Sequence, residues 1–215
     1  MKELRILAQI QTLAVMLMRY PKLLYIFMFA SIFKLFGCGD KNSKPTDPIQ
    51  QFRQNVKENS VLTKQMLEAT TYDKLEETII ANINSKLDKD LSNAKDVLPT
   101  LSKERQSIYY IYLLETEVNN GGFDQYYLNK FFVNYGDYMF DKKNEALKTI
   151  GATKFADLVQ QADKIYKANK KDFDRRINMF EDLDKEFQET YKKENLHDLR
   201  AKFIRNNLAA FTDIE

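Results

Sequence analysis

The segment Glu117-Val118-Asn119-Asn120-Gly121-Gly122-Phe123-Asp124-Gln125-Tyr126-Tyr127-Leu128-Asn129 carries the densest set of chemically capable side chains in the sequence. Glu117, Asn119, Asn120, Gln125 and Asn129 gather around the Gly121-Gly122 pair. A helix ending at Asn119 or Asn120 needs a left-handed residue to turn the chain, and Gly121 supplies it without a Cβ penalty. Gly122 then allows a sharp corner before a second helix. On that helix Gln125 and Asn129 lie four apart, where two carboxamides can bond each other or clamp the preceding turn. Glu117 is placed to tie down the glycine backbone. Bracing of the corner is the first reading and recognition of a ligand or peptide is the second.

Other chemistry is sparse. His197 is the only histidine, which excludes a His-rich zinc site and limits any His-centred triad to one copy. It follows Asn195 near a helix start and reads as a surface residue. Glu115 and Glu117 are two apart on a helix, so they face different ways and cannot act as a dyad. The sequence contains no Gly-rich phosphate loop, calcium loop or nucleophile elbow. No catalytic residue, metal or cofactor is assigned. An enzyme using the Glu117–Asn129 corner stands as an alternative in a different class.

Cys38 is the only cysteine and closes an apolar run. Leu23 to Phe33 leads through Lys34 into Leu35-Phe36-Gly37-Cys38, and the polar Gly39-Asp40-Lys41-Asn42-Ser43-Lys44-Pro45 follows. The run is about 11 to 14 residues, short for a bilayer span of about 20 and suited to a signal segment. Arg19 and Lys22 supply the positive flank. The order resembles a bacterial lipoprotein signal peptide, which implies cleavage before Cys38 and lipidation of its thiol. Residues 1–37 are then the signal peptide, with Met16 or Met18 as an alternative start, and 38–59 a lipidated polar tether. The expected location is the cell envelope, on a membrane-anchored lipoprotein facing away from the cytoplasm. Removing 1–37 leaves 28 basic against 30 acidic residues, so the basic balance of the full chain argues for no nucleic-acid partner.

The elements that must position the corner follow from periodicity. Leu75, Ile79, Ile83 and Leu87 recur at fours. Ile108, Ile111, Leu114 and Val118 follow Ser102, a candidate cap with Arg105 in the first turn. Phe155, Leu158, Val159, Ala162 and Ile165 make a third stripe, Phe180, Leu183, Phe187 and Tyr191 a fourth, and Leu196, Leu199, Phe203 and Phe211 a last. Each predicts a helix with one apolar face. No proline follows Pro99, and no stretch alternates strictly over six residues. The expected fold is one all-α domain of six or seven helices over 60–215. Its many tyrosines are mostly core, with some left for a contact surface.

The motif at 117–129 resembles the family named for the DNA-mimic protein carboxy-terminal domain, long classed as a domain of unknown function. Downstream, Ala146-Leu147-Lys148-Thr149-Ile150-Gly151-Ala152, then Ala162 and Ile165-Tyr166, are similar to its later helices. So are Leu183-Asp184, Phe187, Leu196, Leu199 and Phe203-Ile204-Arg205-Asn206-Asn207. The likeness covers roughly 98–211 and implies an all-helical domain without an established enzymatic activity. A DNA mimic must array carboxylates like phosphates, one charge per about 1.7 Å of duplex axis. Residues 99–215 instead hold 20 acidic and 19 basic residues, interspersed. Glu181, Asp182, Asp184, Glu186 and Glu189 cluster around Lys185, which reads as the solvated face of a helix. Mimicry is disfavoured. The expected role is binding of another protein, by a monomer or homodimer held to the membrane by its lipid.

Overall fold

Why the predicted stripes become helices is visible in how each helix starts and stops. The computed structural model describes residues 47–88, 91–132, 136–169 and 173–213, and their side chains except those of 128–132, 136–140 and 173–178. Cys38, the signal segment and residues 38–46 of the tether lie outside these residues, as does the side chain of Asn129. Among the described residues there are nine α-helices and no strand. They are α1 (Pro48–Glu58), α2 (Lys64–Ala69), α3 (Leu75–Ser85), α4 (Ala94–Val97), α5 (Lys103–Phe132), α6 (Gly136–Thr149), α7 (Thr153–Ala168), α8 (Phe173–Thr190) and α9 (Leu196–Asn206). Three 3₁₀ turns, Tyr72–Lys74, Leu98–Thr100 and Leu208–Phe211, join or close them.

Helix α1 occupies residues that composition assigns to the tether. Pro48 is its first residue, where a missing N–H costs nothing. Phe52 and Val56 are half-buried on one side, and Asn55 Nδ2 donates to Glu77 Oε1 at 2.9 Å. The Thr63 hydroxyl caps α2 by accepting from the Met66 N–H at 3.1 Å. Ser102 caps α5 as expected, accepting from the Arg105 N–H at 3.2 Å, and Asn195 caps α9 through the Asp198 N–H at 3.2 Å. The last stripe is divided: α9 ends at Asn206, and Phe211 reaches the core from the closing 3₁₀ turn. Short elements such as α2 and α4 carry too few apolar positions to register as stripes, which is why six or seven helices were expected.

Helix α5 organises the molecule. A straight helix of 30 residues would span about 45 Å. Its first part packs with α3 and the closing turn, and its second with α6 and α8. Helices α5 to α8 form a ring in which each packs on the next and α8 returns to α5. Helix α9 packs on α3. The ring is filled by aromatic side chains. Tyr127 stacks on Tyr166 with centroids 4.3 Å apart, and Phe123 meets Phe187 edge-on at 5.6 Å. Phe155 links Phe187 and Tyr191 at 4.9 and 5.0 Å. Tyr109, Tyr110, Tyr126, Tyr127 and Tyr166 are buried, so these tyrosines furnish core and not contact surface.

Candidate functional site

The glycine corner lies inside α5. Residues 103–120 are helical, Gly121 has φ −160° and ψ 21°, and Gly122 has φ 76° and ψ −178°. The left-handed backbone expected at Gly121 therefore belongs to Gly122. Gly121 is extended, a conformation open to any residue, and its need for glycine is steric. A Cβ there would collide with the Gln125 side chain, whose Cδ would lie 2.6 Å away. Gln125 thus folds back over the turn before it. At Gly122 a Cβ would meet both a φ that L-residues avoid and the Asp184 carboxyl carbon at 2.8 Å.

Asp184 explains the corner. A helix restarting at Phe123 has backbone N–H groups without intrahelical partners. The Phe123 N–H donates to Asp184 Oδ1 at 2.8 Å, so α8 supplies the cap that the local sequence lacks. Burial pushes the Asp184 carboxyl above its ordinary range, with Asp124 adding to this, while the Phe123 N–H acts against it. The solvated acidic face expected around Lys185 therefore does not include Asp184, which is half-buried. The other members of that cluster behave as expected: Lys185 pairs with Glu181 at 2.8 Å and Asp182 at 3.9 Å, and Lys192 with Glu189 at 2.5 Å. The exposed acids are interleaved with lysines along one helix.

The remaining corner residues divide between two sides of α5. Asn119 is exposed, but its Oδ1 accepts from Gln188 Nε2 at 2.8 Å and its Nδ2 donates to Tyr191 Oη at 3.3 Å. Asn120 is exposed. Glu117 turns inward and is 7% exposed. Burial chiefly, with the charges of Asp163, Glu117 and Asp141, holds the Tyr126 phenol un-ionised. Glu115 faces the other way, so the separation of the two glutamates holds.

Two buried polar clusters were not anticipated. In the first, Arg200 Nη2 contacts Glu115 Oε2 at 2.5 Å and Arg200 Nε lies 2.9 Å from Glu76 Oε1. Tyr191 Oη donates to the second Glu115 oxygen at 2.5 Å, and His197 Nδ1 lies 2.9 Å from the second Glu76 oxygen. Arg200 is buried, and its Nη1 makes no hydrogen bond among the described residues. Burial alone would raise the Glu76 carboxyl, but Arg200 and His197 outweigh it and hold Glu76 below its ordinary value. A signal for this cluster existed. Arg200 stands four residues from both Leu196 and Ile204, and Glu115 four from Ile111, so each interrupts an apolar stripe. In the second cluster, Lys143 Nζ pairs with Asp163 at 2.8 Å beneath Tyr126 and Tyr127. Tyr127 Oη and Asn144 Nδ2 also donate to Asp163, at 2.6 and 3.0 Å.

Asn119 and Asp184 join α5 to α8, and Gln125 lies back over the turn before it. No group of three or more His, Cys, Asp or Glu side chains able to hold a metal occurs among the described residues. No described helix is long and apolar enough to cross a membrane. The sequence model of the family described as DMP19-like protein matches residues 99–207. No curated protein and no solved structure matches the chain.

Proposed function

Because the chain belongs to the DMP19-like protein family, in the part that builds the helical ring and the glycine corner, we propose that it is a lipid-anchored envelope module that binds another protein. The observation that carries this reading is the character of its exposed side chains. Among the described residues four large apolar side chains stand exposed, Ile49 at 49%, Val61 at 48%, Met66 at 38% and Tyr72 at 43%. All four precede the family-like region, in the stretch nearest Cys38. Around α8 the exposed Glu181, Asp182 and Glu189 have lysine partners, so the acids there present no single-signed array. Mixed charge with local apolar groups suits a protein partner held with mild salt dependence.

Mimicry of DNA would need the opposite surface, and its binding would fall steeply with salt. Pull-downs with the whole chain from an envelope extract should therefore retain a partner at about 0.3 M salt. Capture of many basic DNA-binding proteins at low salt, lost on adding salt, would replace this reading with mimicry. Anchoring is tested separately. With a lipid label in a bacterial host, the wild type should incorporate the label and Cys38→Ser should not. Equal labelling of both, or of neither, would remove the anchor from the proposal.

A further inference from the structure

The buried cluster joining α3, α5 and α9 contains Glu76, Glu115 and Arg200, two negative charges against one positive. The fourth charged position is His197, whose Nδ1 lies 2.9 Å from Glu76 and whose side chain is 43% exposed. We propose that His197 is an acid-strengthened latch: protonated, it balances the charge of the Glu76–Arg200–Glu115 cluster and fastens α9 to α3, and unprotonated it leaves one buried carboxylate in excess. This goes beyond the binding role and does not depend on it.

The geometry makes the latch more than a surface pair. Both Glu76 oxygens are engaged, one by His197 and one by Arg200; both Glu115 oxygens are engaged, by Arg200 and Tyr191. Tyr191 in turn accepts from Asn119 at the end of the first part of α5. The proton at His197 is therefore one contact from the Glu76–Arg200 seam, and Asn119 at the glycine corner is reached from it through Glu76, Arg200, Glu115 and Tyr191 in turn. Several groups face the imidazole. Glu76 from α3, Asp73 from the 3₁₀ turn and Asp198 from α9 favour its cation. Arg200 opposes it, as does the positive end of the α9 dipole, since His197 lies in the first turn. The Tyr72 hydroxyl donates to the Asp198 carbonyl at 2.8 Å and holds the 3₁₀ turn against this end of α9. The Glu76 contact dominates, and the imidazole is held above its ordinary 6.5.

The sign follows. A group protonated more readily when folded contributes stability that is complete below pH 6.5 and is lost as pH rises through the folded-state value. His197 is the chain's only histidine, so its ring C–H signals need no assignment. In the untagged full chain in detergent, its titration midpoint by NMR should lie above 6.5. His197→Gln should lower the urea midpoint at about pH 5.5 and change it little at about pH 8.5. Glu76→Gln, if folded, should bring the imidazole midpoint back down. A wild-type midpoint at or below 6.5 overturns the latch, and the wild-type titration decides even if Glu76→Gln does not fold. So does a His197→Gln effect equal at both pH values.

Discussion

At the scale of single residues, the corner turns on Gly122 and its partner Asp184. Gly122→Ala meets a disfavoured φ and the Asp184 carboxylate together, and should lose about 1–3 kcal/mol in chemical unfolding. Gly121→Ala has no positive φ to oppose it, but its Cβ would press on the Gln125 Cβ at 2.9 Å as well as on the movable Gln125 amide, so its loss is steric alone and should be the smaller of the two. Equal losses would place the strain elsewhere than at the left-handed residue. Asp184→Ala removes a cap and should lose about 0.5–2 kcal/mol. Asp184→Asn keeps an acceptor and sheds a half-buried charge, so it should be milder. That a corner occurs here was legible in the Gly-Gly pair after an amphipathic run. Which glycine is left-handed was not, because that depends on where Asp184 arrives from α8, 61 residues away in sequence.

At the scale of elements, apolar spacing located α3, the first part of α5, α7, α8 and α9, whereas α6 was reached only through the family likeness at Ala146–Ala152. Spacing missed the polar seam, since periodicity treats a charge on a stripe as an interruption. Glu76, Glu115 and Arg200 become intelligible only when three helices meet and each charge finds its opposite. The seam sets an order of costs. Arg200→Met leaves two buried carboxylates facing each other and should lose about 3–5 kcal/mol. Tyr191→Phe removes one hydrogen bond to Glu115 and should lose about 1 kcal/mol. Combining Tyr191→Phe with Asn119→Ala in a double-mutant cycle should show coupling, because both act through the Tyr191 hydroxyl. Additive losses would mean that the helix seam and the corner are energetically separate. The tether was misread at its end for a related reason: Pro48 signals a loop by composition, yet it is well suited to the first position of a helix.

At the scale of the whole molecule, the all-α class was legible throughout and the closure of the chain was not. Asp213 Oδ2 accepts from the Leu62 N–H at 2.9 Å and from Asn82 Nδ2 at 2.8 Å, and Asp213 Oδ1 accepts from Arg105 Nη1 at 2.6 Å. Burial works against the Asp213 carboxylate, but Arg105, the Leu62 N–H and Asn82 hold it down at about 2. Its contribution is complete above pH 3.8 and is lost as pH falls toward about 2. Asp213→Asn should therefore destabilise the protein at neutral pH and flatten its acid unfolding between those values. An unchanged acid limb would detach Asp213 from that transition. The same carboxylate joins residues 151 positions apart, so a growing chain cannot complete this fastening until Asp213 itself has been made. A ribosome that still holds the segment around Asp213 would thus hold back this closure, leaving the early helices unclasped until that segment emerges.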